Sequence, residues 1–152
     1  MASRRRPPLR LLRLANPIVR LVLRSPAHGV LSGSVMLLTY RGRHTGRVFA
    51  IPVMYVRVDG AAVALAASPE AKQWWRTFRT PAAATLIVEG RTIEVEGRIL
   101  YGAEARAALR DYLRRFPRSA RTLGAGVDSD DATLDAAADA VALVSFATAS
   151  VV

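Results

Sequence analysis

The chain of 152 residues contains no cysteine, which excludes disulfides, thiolate metal sites and thiol nucleophiles. Only two histidines occur, His28 and His44, too few for a histidine-based metal centre, so no metal is expected. Lysine is almost absent: of 22 basic residues only Lys72 is not arginine. That bias, with the abundance of alanine, is a compositional mark of a GC-rich bacterial genome. Acidic residues are missing from the whole first third, Asp59 being the first, while 11 arginines precede it. From Asp59 onward 11 basic residues face 12 acids, so the net charge of +10 belongs to the N-terminal third. A basic region of this kind implies an anionic partner: cofactor phosphates, an anionic membrane surface or nucleic acid.

Long uncharged apolar runs are also lacking. Arg10, Arg13, Arg20 and Arg24 interrupt the leucine-rich start, which rules against a membrane span and a secretory core segment. The expected location is cytoplasmic. What is present is ample apolar material, 51% of the residues, enough for the core of one domain of this size.

The division expected is an arm, residues 1–24, followed by one domain, 25–152. Leu9–Arg24 reads as helical, with its four arginines in a sector about 80° wide and the leucines, isoleucine and valines opposite. Asn16-Pro17 has the form of an N-cap and first helical position. Two dispositions stay open: docking on the domain, or peripheral contact with anionic lipid at the inner face of the membrane.

Beyond Ser34 strand signals dominate. Val35–Tyr40 is an apolar run, Phe49–Val58 a second with Pro52 marking an edge or bulge, and Asp59-Gly60 a hairpin turn into Ala61–Ala67. Ser68-Pro69 has the form of a helix start, with the helix running to about Arg79. A second hairpin joins Thr85–Val88 to Thr92–Leu100 across Glu89-Gly90. Ala103–Phe116 reads as a helix stopped by Pro117. The aspartates between Asp128 and Asp139 lack a calcium-loop pattern and read as a solvated segment or a helix N-terminus. Val141–Ala147 is a last strand. The fold class expected is mainly β with covering helices: a barrel of about six mostly antiparallel strands.

The loop Tyr40-Arg41-Gly42-Arg43-His44-Thr45-Gly46-Arg47 carries the chemistry. Its glycines allow a sharp turn that exposes amide hydrogens, and three arginines and a threonine supply donors, the combination that phosphate recognition needs. No serine–histidine–acid arrangement competes with it. A nucleic-acid role has only charge in its favour, since a base-stacking strand face of aromatic and basic residues is missing.

From Val35 to Leu100 the sequence resembles the deazaflavin-dependent nitroreductases, relatives of split-barrel flavin reductases. The resemblance rests on Met36-Leu37-Leu38-Thr39, Gly42-Arg43-His44-Thr45-Gly46, Ile51-Pro52-Val53, Asp59-Gly60, Val63–Ser68 and Lys72-Gln73-Trp74-Trp75-Arg76-Thr77-Phe78. It implies a split β-barrel and a hydride transfer from coenzyme F-420 to a quinone, nitroaromatic or similar conjugated small-molecule acceptor. It maps the cofactor's anionic tail onto Arg41, Arg43, Thr45, Gly46 and Arg47, and its ring system onto Ile51, Pro52 and Val53. Ala67 and Ser68 would edge the pocket, and Lys72, Trp75 and Arg76 would share a face with Arg79, leaving Trp74 and Phe78 for the core. Such barrels often pair, so a homodimer is expected. Alternatives that keep the barrel are an FMN or FAD reductase, or a non-enzymatic carrier of lipid, haem or a cofactor. Nitroreductase members carry tyrosines near the acceptor, whereas Phe116–Thr122 has none. The acceptor side here would fall to Phe116, Ser119 and Thr122.

Overall fold

The computed structural model describes residues 33–148. The arm Leu9–Arg24 and His28 lie outside the described residues. Six strands, β1 (Val35–Arg41), β2 (Val48–Val58), β3 (Ala61–Ala66), β4 (Ala82–Val88), β5 (Arg91–Ile99) and β6 (Ala142–Ala147), close an antiparallel barrel in the order β1-β2-β3-β6-β5-β4. The expected fold class is therefore observed. The helices are α1 (Gly102–Arg115), a short α2 (Ala120–Leu123) and α3 (Asp131–Asp139). The described residues form two compact units. One holds those up to Val53 together with Ala83–Glu96, the other Met54–Ala82 with Gly97–Ala147.

In the first unit β1 pairs with β4 from Leu37↔Ile87 to Tyr40↔Ala84. Every residue from Met36 to Tyr40 is buried, Thr39 included, which explains a mostly apolar run where a half-exposed strand would alternate. Leu37 packs against Ala50 and Ile87. The β4–β5 hairpin turns at Glu89-Gly90, both with positive φ (50° and 73°), the backbone of a type I′ turn.

In the second unit Asp59-Gly60 makes the same turn, with φ of 49° and 80°. It sets the β2–β3 register from Tyr55↔Ala64 to Val58↔Ala61, and Pro52, which has no amide hydrogen, lies outside that ladder. β3 pairs with β6 along its length, Ala62↔Phe146 to Ala66↔Ala142. Val63 and Leu65 of β3 belong to a cluster with Leu100, Leu109, Leu113, Leu134 and Leu143. The buried residues of α1, Ala105, Ala108, Leu109, Tyr112 and Leu113, recur at helical spacing, and all but Tyr112 belong to this cluster. Arg106 to Asp135 (3.1 Å) and Arg110 to Asp131 (3.2 Å) pair α1 with α3 at the surface. The aspartate-rich segment is a helix start: the Asp130 carboxylate accepts from the Thr133 amide at 2.8 Å.

The expected helix from Ser68 to Arg79 takes a different form. The amides of Ala71 and Lys72 both bond the Ser68 carbonyl, closing a turn there. The Trp75 indole then donates to the Pro69 carbonyl at 2.8 Å, and the chain restarts as a 3-10 helix, Trp74–Arg79. Trp74 and Phe78 are buried, as expected of them.

Candidate cofactor site

The loop between β1 and β2 is closed by its own backbone. The Gly42 amide donates to the Arg47 carbonyl at 2.8 Å, and the Gly46 amide to the Gly42 carbonyl at 3.0 Å. Gly46 sits at φ +66°, a left-handed conformation that a side chain would strain. The Arg47 amide donates to the Thr45 hydroxyl at 3.3 Å, so Thr45 trims the turn. Arg41 spans the loop, its guanidinium donating to the Gly46 carbonyl at 2.8 Å. Of the three loop arginines, Arg41 is thus partly engaged in holding the loop. Arg43 and Arg47 are exposed, and among the described residues neither is paired with an acid. His44 is exposed beside them.

Two aromatic rings flank this loop. Tyr40, the last buried residue of β1, stacks on Phe49 with centroids 5.5 Å apart and planes at 22°. Burial raises the pKa of the Tyr40 phenol, so it stays protonated through the neutral range. Phe49 is 39% exposed, unusual for a large apolar side chain. Sequence reasoning read it only as the start of a strand, because nothing in an apolar pattern tells which end residue is uncovered. Further along β2, Ile51 and Val53 are half-buried and Pro52 is exposed.

The remaining residues implied for the cofactor lie in the second unit. Ala67, Ser68, Lys72 and Arg76 are exposed. Trp75 is half-buried, pinned through its indole nitrogen, with the guanidinium carbons of Arg76 and Arg79 at 5.6 and 4.9 Å from its ring centre. Arg76 also bonds the Gln73 side chain at 3.1 Å. A tryptophan carrying two guanidiniums is neither core nor fully solvated; its ring and the cations form one charged, flat patch.

The residues expected on the acceptor side stand at and just beyond the end of α1. Phe116 caps that helix, half-buried, its ring 4.9 Å from Tyr112 and beneath the Arg115 guanidinium at 5.3 Å. Ser119 is half-buried and Thr122 exposed. A shallow cavity of about 500 Å³ nearby is lined by Leu123, Gly124, Ala132, Thr133, Ala136, Ala137 and Ala140, and contains none of the three. The missing tyrosine has a neighbour one turn earlier: Tyr112 is buried, and burial raises its phenol pKa.

Residues 14–128 match the model of the F420H(2)-dependent quinone reductase family. The chain belongs to this family. It is accordingly a deazaflavin-dependent oxidoreductase, and coenzyme F-420 is its cofactor. Among solved structures it is similar to one described as an F420-H2 dependent reductase (FDR-A), with 16% identity and a TM-score of 0.58, covering 76% of this chain and 96% of the other. It is similar also to a domain-swapped dimer, with 16% identity and a TM-score of 0.59, covering 88% and 96%. At that identity the likeness establishes the shared fold. No curated protein matches the sequence.

The residues present fit such a cofactor. An anionic tail needs uncommitted cations beside an approachable backbone, and the loop offers the exposed guanidiniums of Arg43 and Arg47 beside the Gly46 turn. Among the described residues nothing within 4 Å would meet a Cβ at Gly46.

Proposed function

We propose that this family member holds the anionic tail of F-420 on Arg43, Arg47, Thr45 and the Gly46 turn, with Arg41 as the strut that keeps the turn closed. The observation that carries the reading is the pair of exposed arginines that, among the described residues, have no acid partner, on a loop closed by its own hydrogen bonds. Guanidinium forks suit phosphate and carboxylate oxyanions, and each charged hydrogen bond contributes about 1.5–3 kcal/mol. Ile51, Pro52 and Val53 would meet the uncharged part of the ligand. In the second unit Ala67, Ser68, Lys72, Trp75 and Arg76 are proposed as contacts on the strength of the family pattern.

When bound, reduced F-420 supplies a hydride by its own chemistry, so the protein need only orient it against the acceptor and exclude water. We propose a quinone as the acceptor, which becomes the hydroquinone on gaining the hydride and one proton from solvent. Phe116, Ser119 and Thr122 are proposed for its surroundings. A homodimer is proposed as well, because a protein of the same fold is described as a domain-swapped dimer.

The test is a steady-state assay. Reduced F-420 and a soluble quinone are mixed with the protein, and the return of oxidised deazaflavin absorbance is followed. Quinone-dependent oxidation supports the reading. Protein that retains FMN or FAD after desalting, and shows no turnover with F-420, would overturn it.

A further inference from the structure

Phe49 lies close against the first glycine of the 41–47 loop. A Cβ built on Gly42 would lie 3.0 Å from the Phe49 ring (Cε2), 3.5 Å from the Thr45 hydroxyl and 3.6 Å from the Arg47 carbonyl. A side chain at Gly42 would crowd the Phe49 ring, which would have to give by a few tenths of an ångström, so the ring lies close against this glycine. Tyr40, immediately before Arg41, stacks on the same ring, and the loop runs from Tyr40 to Phe49. Those two aromatics bracket the loop, and the Phe49 ring touches both the bracket and the residue whose amide and carbonyl close the turn.

The loop has few other restraints. Arg41 to the Gly46 carbonyl, the two glycine amide bonds and the Thr45 hydroxyl are all at the surface, where water competes for each. The ring is the one apolar group touching Gly42 among these contacts, and it remains 39% exposed at a cost in uncovered apolar area. A core position would have hidden it.

We infer that Phe49 is a positioning residue for the cofactor's anionic tail: its ring braces the Gly42 backbone and holds the loop in the shape that aims Arg43 and Arg47. The inference rests on the assignment of the loop to that tail. Phe49 acts through Gly42 and leaves the deazaflavin ring system untouched. Preorganisation of this kind raises affinity by reducing the ordering needed at binding.

The experiment titrates two ligands by deazaflavin fluorescence: F-420 itself, and the deazaflavin lacking phosphate and tail. Phe49→Ala should weaken F-420 about tenfold while leaving the tail-less compound unchanged, and Phe49→Tyr should restore F-420 binding. Gly42→Ala, which drives a methyl group into the ring, should reproduce the selective loss should Phe49→Ala fold poorly. Equal weakening of both ligands by Phe49→Ala would mean that the ring contacts the deazaflavin directly and overturn the inference. Unchanged F-420 binding in Phe49→Ala, beside a loss in Arg43→Ala, would overturn it and leave the loop assignment standing. Unchanged binding in Arg43→Ala would remove the loop assignment, and this inference with it.

Discussion

The ring of Phe78 meets the ring of Phe146 edge-on, with centroids 5.0 Å apart and planes at 85°, over a position that only glycine can fill. A Cβ on Gly97 would stand 2.5 Å from Phe78 and 2.7 Å from Phe146, closer than any real contact. Gly97→Ala should therefore destabilise the protein by about 1–3 kcal/mol, the usual cost of overfilling a packed core. Denaturant unfolding checks it, and Phe78→Leu in the same chain should recover part of the loss. A neutral Gly97→Ala would contradict the packing described.

Asp130 caps α3, and its hydrogen bonds to Thr133 lower its pKa below the ordinary 3.8. A carboxyl whose folded pKa is depressed contributes stability above its unfolded pKa. That contribution is lost as pH falls through the lowered value. Asp130→Ala should lower the melting temperature at neutral pH, with the difference closing in strong acid. Asp130→Asn should keep most of the cap and lose its pH dependence. A gap between wild type and Asp130→Ala that is the same at both pH values would count against the carboxylate as the capping group.

Much of this architecture was legible from local signals. Asp59-Gly60 and Glu89-Gly90 marked both I′ hairpins, and Pro117 marked the end of α1, because turn chemistry acts over two or three residues. The segment after Ser68 misled for an opposite reason. Ser68-Pro69 is a sound helix start, yet a tryptophan six residues after the proline captures its carbonyl, a bond that no cap pattern encodes. At the loop, the charge and glycines were visible, but not their unequal roles. That Arg41 closes the turn while Arg43 and Arg47 stay uncommitted depends on backbone direction at Gly46. Phe49 was invisible as a site residue because its neighbours in sequence are strand residues like itself.

If position 116 faces the acceptor as proposed, the lack of a tyrosine there has a consequence for the choice of acceptor. A phenol near a developing nitro oxyanion can donate a hydrogen bond, which Phe116 cannot. Removing one such donor in comparable sites costs about 2.7–4 kcal/mol of barrier. Turnover should thus be slow on nitroaromatics and faster on quinones, and Phe116→Tyr should raise the nitroaromatic rate. Steady-state assays with reduced F-420 on both acceptor classes measure it. Fast nitroreduction by the unaltered protein, or no response to Phe116→Tyr, would show that position 116 does not face the acceptor.

The arginine-lined arm Leu9–Arg24 makes a separate prediction. The full chain should sediment with anionic vesicles and be released by added salt, whereas a chain starting at Ser25 should stay in solution and remain folded. Equal partitioning of the two, or unfolding of the shorter chain, would favour an arm docked on the domain.

One titration decides whether the 41–47 loop binds the cofactor's anionic tail. Binding of F-420 is measured by fluorescence for the wild type and for Arg43→Ala, with circular dichroism confirming that both are folded. The account predicts a loss of about 1.5–3 kcal/mol, roughly 10- to 150-fold in Kd, for the variant. Equal affinity in two folded proteins would contradict it.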